Sequence, residues 1–419
     1  MGEVRRTREE EFEKVIALIN KIFRMNLGYE PTMHKEFPLL LAKDNIDNMR
    51  IIEEDNIPVS CVNFVKRPIL IEGAKINTAS IGAVCTLKEY RGKGYSSLIL
   101  DDVESKMFED DIDLALVSGT RALYQRRGYT MTKNFKIYRV LPENCDLGFK
   151  LREYENRDLE KVMKLYNKAS TRFYRTQEDF KTLIRSSMFP WGNTTYKPYV
   201  IEKQNLVVAY VFVRISNDAE KKGSVVEAGG NSVYIEKALK YIGFSNEVKE
   251  IEYRVHKLQE DGFLNSMEGT DDYQEGSLKI VNFERFMHNL KPYFSQYVEN
   301  EILDKIEFKV ENNYGNRKNE NMYKPTEDCK IEVIEFDDFK INVSEDILEA
   351  IEVMEENKVY TFTWDQEILE IYDIRTLNKL VFEGLESVDI DFNGVEHIKK
   401  FMGKVFPIPF IYLRNLNYQ

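Results

Sequence analysis

The sequence predicts an α+β protein built from a doubled unit followed by a third, separate segment. Three observations carry that prediction. Apolar stripes at helical spacing alternate with short β-branched runs, two internal matches lie at nearly one offset, and the texture of the chain changes after residue 278. The 419 residues fit about three domains at roughly 150 residues each. With 43% hydrophobic and 12% aromatic residues, and only 11 prolines and 21 glycines, the chain can fill several cores and is neither collagenous nor broadly disordered.

The first element is an amphipathic helix over residues 8–24, because Phe12, Val15, Ile16, Ile19 and Phe23 share one face and Glu and Lys the other. Residues 52–62 read as strand, tight polar turn and return strand. Ile81 to Leu87 is a buried strand, Lys88 to Ser97 a glycine-bearing loop, and Leu98, Ile99, Val103 and Met107 mark the next helix. A strand ends near Leu116, further strand-like segments run to Val140, and Pro142 to Gly148 suits a boundary. The pattern then begins again. Residues 158–168 match 11–21 at six of eleven positions, an offset of 147, and 201–211 match 52–62 at an offset of 149. After residue 278, Phe283, Phe286, Met287 and Leu290 mark another amphipathic helix, and a polar stretch from Glu311 to Asp328 precedes strand-like runs such as Lys330 to Phe336. The expected domains are 1–145, 146–278 and 279–419.

Composition narrows the function. Asp and Glu number 71 against 59 Lys and Arg, a net charge of −12, which disfavours nucleic acid or an anionic membrane and favours a cationic small molecule or basic peptide. The Arg- and Glu-rich N-terminus is no signal peptide, and nowhere do about 18 apolar residues run together, so a soluble cytoplasmic protein is expected. Cys61, Cys85, Cys145 and Cys329 show no CxxC spacing and read as reduced thiols. The four histidines, His34, His256, His288 and His397, form no HxH or HxxxH pair, so no metal is implied. No GxSxG elbow suggests a serine nucleophile.

The chemistry sits at the strand, loop and helix of residues 81–107. Glycines let a backbone approach a ligand, and loop N–H groups converge at the positive end of the helix, so this order suits a phosphate-bearing ligand. Arg91-Gly-Lys-Gly-Tyr-Ser96 resembles the [Arg/Gln]-x-x-Gly-x-[Gly/Ala] motif A of the GCN5-related N-acetyltransferases (GNAT), with Ser96 a small departure. Leu123-Tyr-Gln-Arg-Arg-Gly-Tyr129 resembles that family's motif B. The layout of an active copy, a second copy and an α+β C-terminal part looks like the enhanced intracellular survival (Eis) family across essentially the whole chain. That resemblance implies two tandem GNAT-type mixed-sheet domains, the second degenerate, and a sterol-carrier-like third domain. Leu377 to Gly384 resembles a short helix found there.

The resemblance also implies roles. Acetyl-CoA would be the co-substrate, with Val84, Cys85 and Thr86 offering backbone groups to its pantetheine arm and Arg91, Gly92, Lys93, Gly94, Tyr95 and Ser96 holding its pyrophosphate. Tyr124 would give a proton to the departing thiolate. The chain's own C-terminal carboxylate would be the base; here Gln419 carries it, where the family usually has an aromatic residue. The second copy has Val225 to Ser232 in place of the motif and no Arg-x-x-Gly-x-Gly after it, and Glu227 would repel a pyrophosphate. The expected activity is acetyl transfer to amino groups of aminoglycoside-like molecules, polyamines or lysine side chains, in a homo-oligomer that is hexameric in the resembling family. A hydrophobic-ligand carrier working through the third domain, or a scaffold that binds acetyl-CoA without turnover, are the alternatives.

Overall fold

The computed structural model describes residues 2–187, 193–259, 267–312, 333–336, 339–342 and 358–417. The first copy follows directly from its apolar pattern. Strand β1 (Val4–Arg6) leads into helix α1 (Phe12–Phe23), whose buried face is Phe12, Val15, Ile16, Leu18, Ile19 and Asn20. Strands β2 (Met49–Glu54) and β3 (Ile57–Lys66) form the expected hairpin. Its turn residues Asp55 and Asn56 both take positive φ, 51° and 61°, the geometry of a two-residue hairpin turn with the twist of its strands. Strand β4 (Thr78–Thr86), helix α2 (Tyr95–Glu109) and strand β5 (Leu114–Val117) complete the unit. The sheet runs β1-β2-β3-β4-β5 and closes on a sixth strand, Ser277–Ile280.

The duplication holds down to single side chains. In the second copy Gln204 and Asn205 repeat the positive-φ turn at 51° and 62°, between Thr194–Lys203 and Leu206–Ser216. At the start of α1, Arg5 donates to both oxygens of Glu11 (2.8 and 2.6 Å) and to Glu53, while Glu11 accepts from the Arg8 backbone N–H at 2.9 Å. At the start of Leu159–Tyr166, Arg152 donates to both oxygens of Asp158 (2.7 and 2.8 Å) and to Glu202 at 2.5 Å, and Asp158 accepts from the Glu155 N–H at 2.9 Å. The same three-charge knot fixes the same helix against the same hairpin in both halves.

The copies do not separate at residue 145. Phe135–Val140 leaves the first unit and pairs with Ile251–His256 in the seven-stranded second sheet, and Ser277–Ile280 crosses back to pair with β5. A third exchange sets Thr171–Phe173 beside Ile69–Ile71. The expected boundaries at 145/146 and 278/279 therefore cut through interlocked sheets. The physical reason is at the edges: each exchanged strand covers backbone that would otherwise stand unpaired. In the third segment, Ile306–Asn312, Lys358–Trp364 and Glu367–Ile371 form a three-stranded sheet with helices Phe283–Asn289, Ile374–Glu383 and Glu396–Val405 around it. Aromatic rings fill that core, Phe283 lying edge-on to Phe362 at 5.3 Å and to Tyr360 at 5.6 Å. The architecture is α+β throughout; a sterol-carrier likeness of this segment is not established by it. Among the described residues no helix is long and apolar enough to cross a membrane.

Candidate active site

The site begins where two parallel strands part. β4 and β5 pair only over Thr78–Ile81 and Leu114–Val117. Beyond Ile81 the register of β4 against β3 shifts between Cys61 and Asn63, and Ala83 takes a positive φ of 49°, a bulge that bends β4 away from β5. The Asn63 side chain spans the bulge, donating to the Ala83 carbonyl at 3.3 Å. From Gly82 onward the β4 edge that faced β5 is no longer paired with it, so an extended arm can lie there as a further strand. Val84, Cys85 and Thr86 lie on that stretch of β4.

Only backbone is on offer from Cys85. Its thiol points into the core opposite Cys61, the two sulfurs 3.4 Å apart, and the Cys61 thiol and burial together push it well above the usual thiol range. Both cysteines are unbridged, as is Cys145; Cys329 lies outside the described residues. Thr86 works through its side chain as well. Its hydroxyl lies 2.7 Å from that of Ser60 and 2.8 Å from that of Ser96, tying the end of β4 to the first turn of α2. Ser96 thus fills the small-residue position of the motif with a hydroxyl that is already engaged.

The loop between them is shaped for close approach. Gly92 and Gly94 have φ of 79° and 78°, a region other residues rarely adopt, and a Cβ on either would meet nothing within 4 Å. No side chain caps α2, whose N-cap is Gly94, so the N–H groups of its first turn face outward at the positive end of the helix. Arg91 is anchored by its Nε to the Thr86 carbonyl at 3.2 Å, and the Lys93 ammonium stands over the Tyr90 ring at 4.7 Å, both exposed. Tyr95 differs from the expectation in one respect. Its ring is buried and its hydroxyl donates to Glu54, which raises its pKa, so it serves the loop through its N–H and the fold through its ring.

Across the splay, Tyr124 sits in the short helix Ala122–Gln125, 4% exposed. Its ring lies so close to Gly119, just past β5, that a Cβ there would come within 2.5 Å of it. Gly119 is a supporting position the sequence reading missed; Leu-Val-Ser-Gly reads simply as a strand end. Gln419 lies outside the described residues. The segment leading to it does reach the site: Leu413 and Asn417 line a small pocket with Ser80, Ile81, Val117 and Ser118, at the base of the splay.

The corresponding place in the second copy is closed. Helix Ser232–Ser245 is capped by Asn231, whose side chain accepts from the N–H groups of Val233 (3.1 Å) and Tyr234 (3.4 Å). A Cβ on Gly230 would come within 2.4 Å of the Val208 carbonyl. Glu227 is not a free repelling charge, because Arg175 holds both its oxygens at 3.1 and 2.7 Å.

Residues 3–132 match the acetyltransferase (GNAT) domain family. No curated protein matches the chain. Among solved structures, a GCN5-related N-acetyltransferase from Anabaena variabilis is similar over 98% of both chains at 12% identity, with a TM-score of 0.60. A conserved protein of unknown function from Enterococcus faecalis, described as a probable N-acyltransferase, aligns over 98% of this chain and 99% of its own at 14% identity and a TM-score of 0.59. A GCN5-related N-acetyltransferase from Kribbella flavida covers 100% of this chain and 98% of its own at 11% identity and a TM-score of 0.55. These likenesses establish the fold, over the whole chain.

Proposed function

From the premise of a GNAT acetyltransferase domain in the first copy, we propose that the protein is an acetyl-CoA-dependent N-acetyltransferase acting on amines of cationic molecules, with the three-part layout of the Eis-like enzymes. The observation that carries this is the coincidence of the β4–β5 splay with an uncapped, glycine-lined helix start. Acetyl-CoA supplies an activated acyl thioester. The residues fit such a molecule: the loop N–H groups of 92–96 with Arg91 and Lys93 suit its pyrophosphate, and the free edge of Val84 to Thr86 suits an amide-bearing arm.

The protein's own groups then have distinct tasks. A backbone N–H near the bulge stabilises developing negative charge on an oxygen. Tyr124 gives its phenolic proton to the leaving sulfur. The carboxylate of Gln419 draws a proton from the acceptor ammonium, a role supported by the path of the chain before it, on which Leu413 and Asn417 line the pocket. That path also favours catalysis over a carrier working alone through the third domain, because it directs the chain's last segment to the first copy's cleft. The excess of acidic residues supports a cationic acceptor.

The test is to incubate the purified protein with acetyl-CoA and a panel of amines and to follow free thiol. Amine-dependent thiol release is expected. Thiol release that no amine accelerates would overturn the assignment.

A further inference from the structure

The second copy has lost its phosphate loop, yet its interior holds a charged pair that no role assigned above uses. The Arg175 side chain is fully buried, and its two terminal nitrogens donate to the two oxygens of Glu227 at 3.1 and 2.7 Å. Burial alone would draw the guanidinium pKa down, but the Glu227 carboxylate more than offsets it, so the side chain stays charged. The guanidinium lies 4.2 Å from the centre of the Tyr166 ring and 5.1 Å from that of Phe180. Tyr210 donates to Glu227 at 3.1 Å, and Tyr166 donates to the Phe173 carbonyl at 3.1 Å. A buried pair of this kind stabilises little beside apolar side chains of like volume; what it supplies is a donor with a fixed direction.

That donor is aimed at the end of the chain. Glu227 takes both tips of the fork, and the remaining nitrogen, Nε, donates to the side-chain oxygen of Asn417, a residue 2% exposed. Leu416 packs into the same core, and the Asn417 N–H donates to Asn415 Oδ1 at 2.7 Å. Upstream, Tyr412 donates to Glu275 at 2.5 Å, and a Cβ on Gly276 would come within 2.7 Å of Leu413. Residues 412–417 are thus held at both ends.

The grip is also referenced to the first copy. Arg175 stands two residues after the strand Thr171–Phe173, which pairs with Ile69–Ile71. Phe173 and Asn417 line the pocket together with Ser80 of β4 and Val117 of β5. Side chains of the second copy therefore set the place of Asn417 against the splayed strands of the first. Two residues further on, a reach of at most about 7 Å, the chain ends at Gln419. Resting on the reading of the Gln419 carboxylate as the base, we propose that Arg175 is a positioning residue: through Asn417 it fixes the end of the chain, so that the degenerate copy serves the active one by setting where that carboxylate acts.

The experiment uses the full-length protein and two ways of releasing the anchor. Asn417→Leu removes the oxygen that Arg175 binds at nearly constant size. The double variant Arg175→Met/Glu227→Met replaces the pair with apolar side chains, an exchange that leaves no buried charge unpaired and is often neutral or stabilising. Carboxypeptidase digestion followed by mass spectrometry reads the anchor without any substrate. Both variants should release Gln419 about tenfold faster than the wild-type chain, because a charge-assisted hydrogen bond no longer holds the closed state. Asn417→Asp keeps an oxygen for Arg175 and should stay near the wild-type rate. Unchanged release in both variants would overturn the proposal. With acetyl-CoA and the amine of the panel that releases thiol fastest, kcat/KM in both variants should fall by about a hundredfold at pH 7, the cost of misplacing a catalytic group by about 1 Å. The deficit should shrink toward about pH 10, where an amine loses its proton unaided. An equal loss at every pH, or one matched by a fall in melting temperature, would assign the pair to structure and overturn the proposal too. Full activity of a chain extended beyond Gln419 is the separate result that removes the underlying reading.

Discussion

Tyr124 carries the sharpest prediction at the level of one side chain. Its ring is fixed by contact with Gly119, so removing the hydroxyl should leave the packing intact while deleting the proton. Tyr124→Phe is expected to lower kcat by roughly ten- to ten-thousand-fold, the range for a lost general acid, with acetyl-CoA affinity near normal by calorimetry. Full turnover would return the residue to a packing role. Gly119→Ala should have a milder effect on the same step by displacing the ring. Tyr124 was legible from its place in a Tyr-x-x-x-Gly motif, whereas Gly119 was not, because what marks it is a through-space contact.

At the level of elements, the charge knot at the start of α1 sets an acid limit on stability. Arg5 leads the interactions that hold the Glu11 carboxyl down to about 2 against an ordinary value near 4.3 in the unfolded chain. Because the folded value is the lower, the stabilisation is complete above about pH 4.3 and is lost as pH falls toward 2. Glu11→Gln should cost about 2 kcal/mol at neutral pH, the order expected for hydrogen bonds to a buried charge. It should also flatten the loss of stability between about pH 4 and 2, measured by denaturant unfolding across that range. An unchanged acid limb would place the sensitivity elsewhere. The helix, the hairpin and their repetition were readable because apolar spacing and polar turns are local signals. The bulge at Ala83 was not, since alanine gives no hint of a positive φ, and the Asn231 cap that shuts the second copy was passed over beside the missing motif.

For the whole molecule, the exchanged strands bind the two copies into one cooperative body. A fragment of residues 1–145 would leave β5 without Ser277–Ile280 and Phe135–Val140 without Ile251–His256, so it should aggregate or fail to show a cooperative thermal transition. A soluble fragment that melts cooperatively would contradict the interlocking. Sequence matching found the repeat but not this exchange, because strand partners distant along the chain leave no local trace in the residues between them. Leu413 and Asn417 line the pocket at the base of the first copy's splay, and the base proposed above follows two residues after Asn417. Gln419→Ala should therefore be tolerated, while several residues appended after Gln419 should cost activity with little change in melting temperature, because a catalytic group displaced by about 1 Å can lose a hundredfold. Full activity of the extended chain would transfer the base role to another group. Titrating acetyl-CoA by calorimetry into the intact chain and into Gly94→Val tests the central claim most directly. One site per chain is predicted, since the second copy's helix is already capped, and Gly94→Val should abolish binding, since a side chain at a φ of 78° both strains the loop and fills the open side of the cradle. Two sites per chain, no binding to the intact chain, or equal affinity in the variant would contradict it.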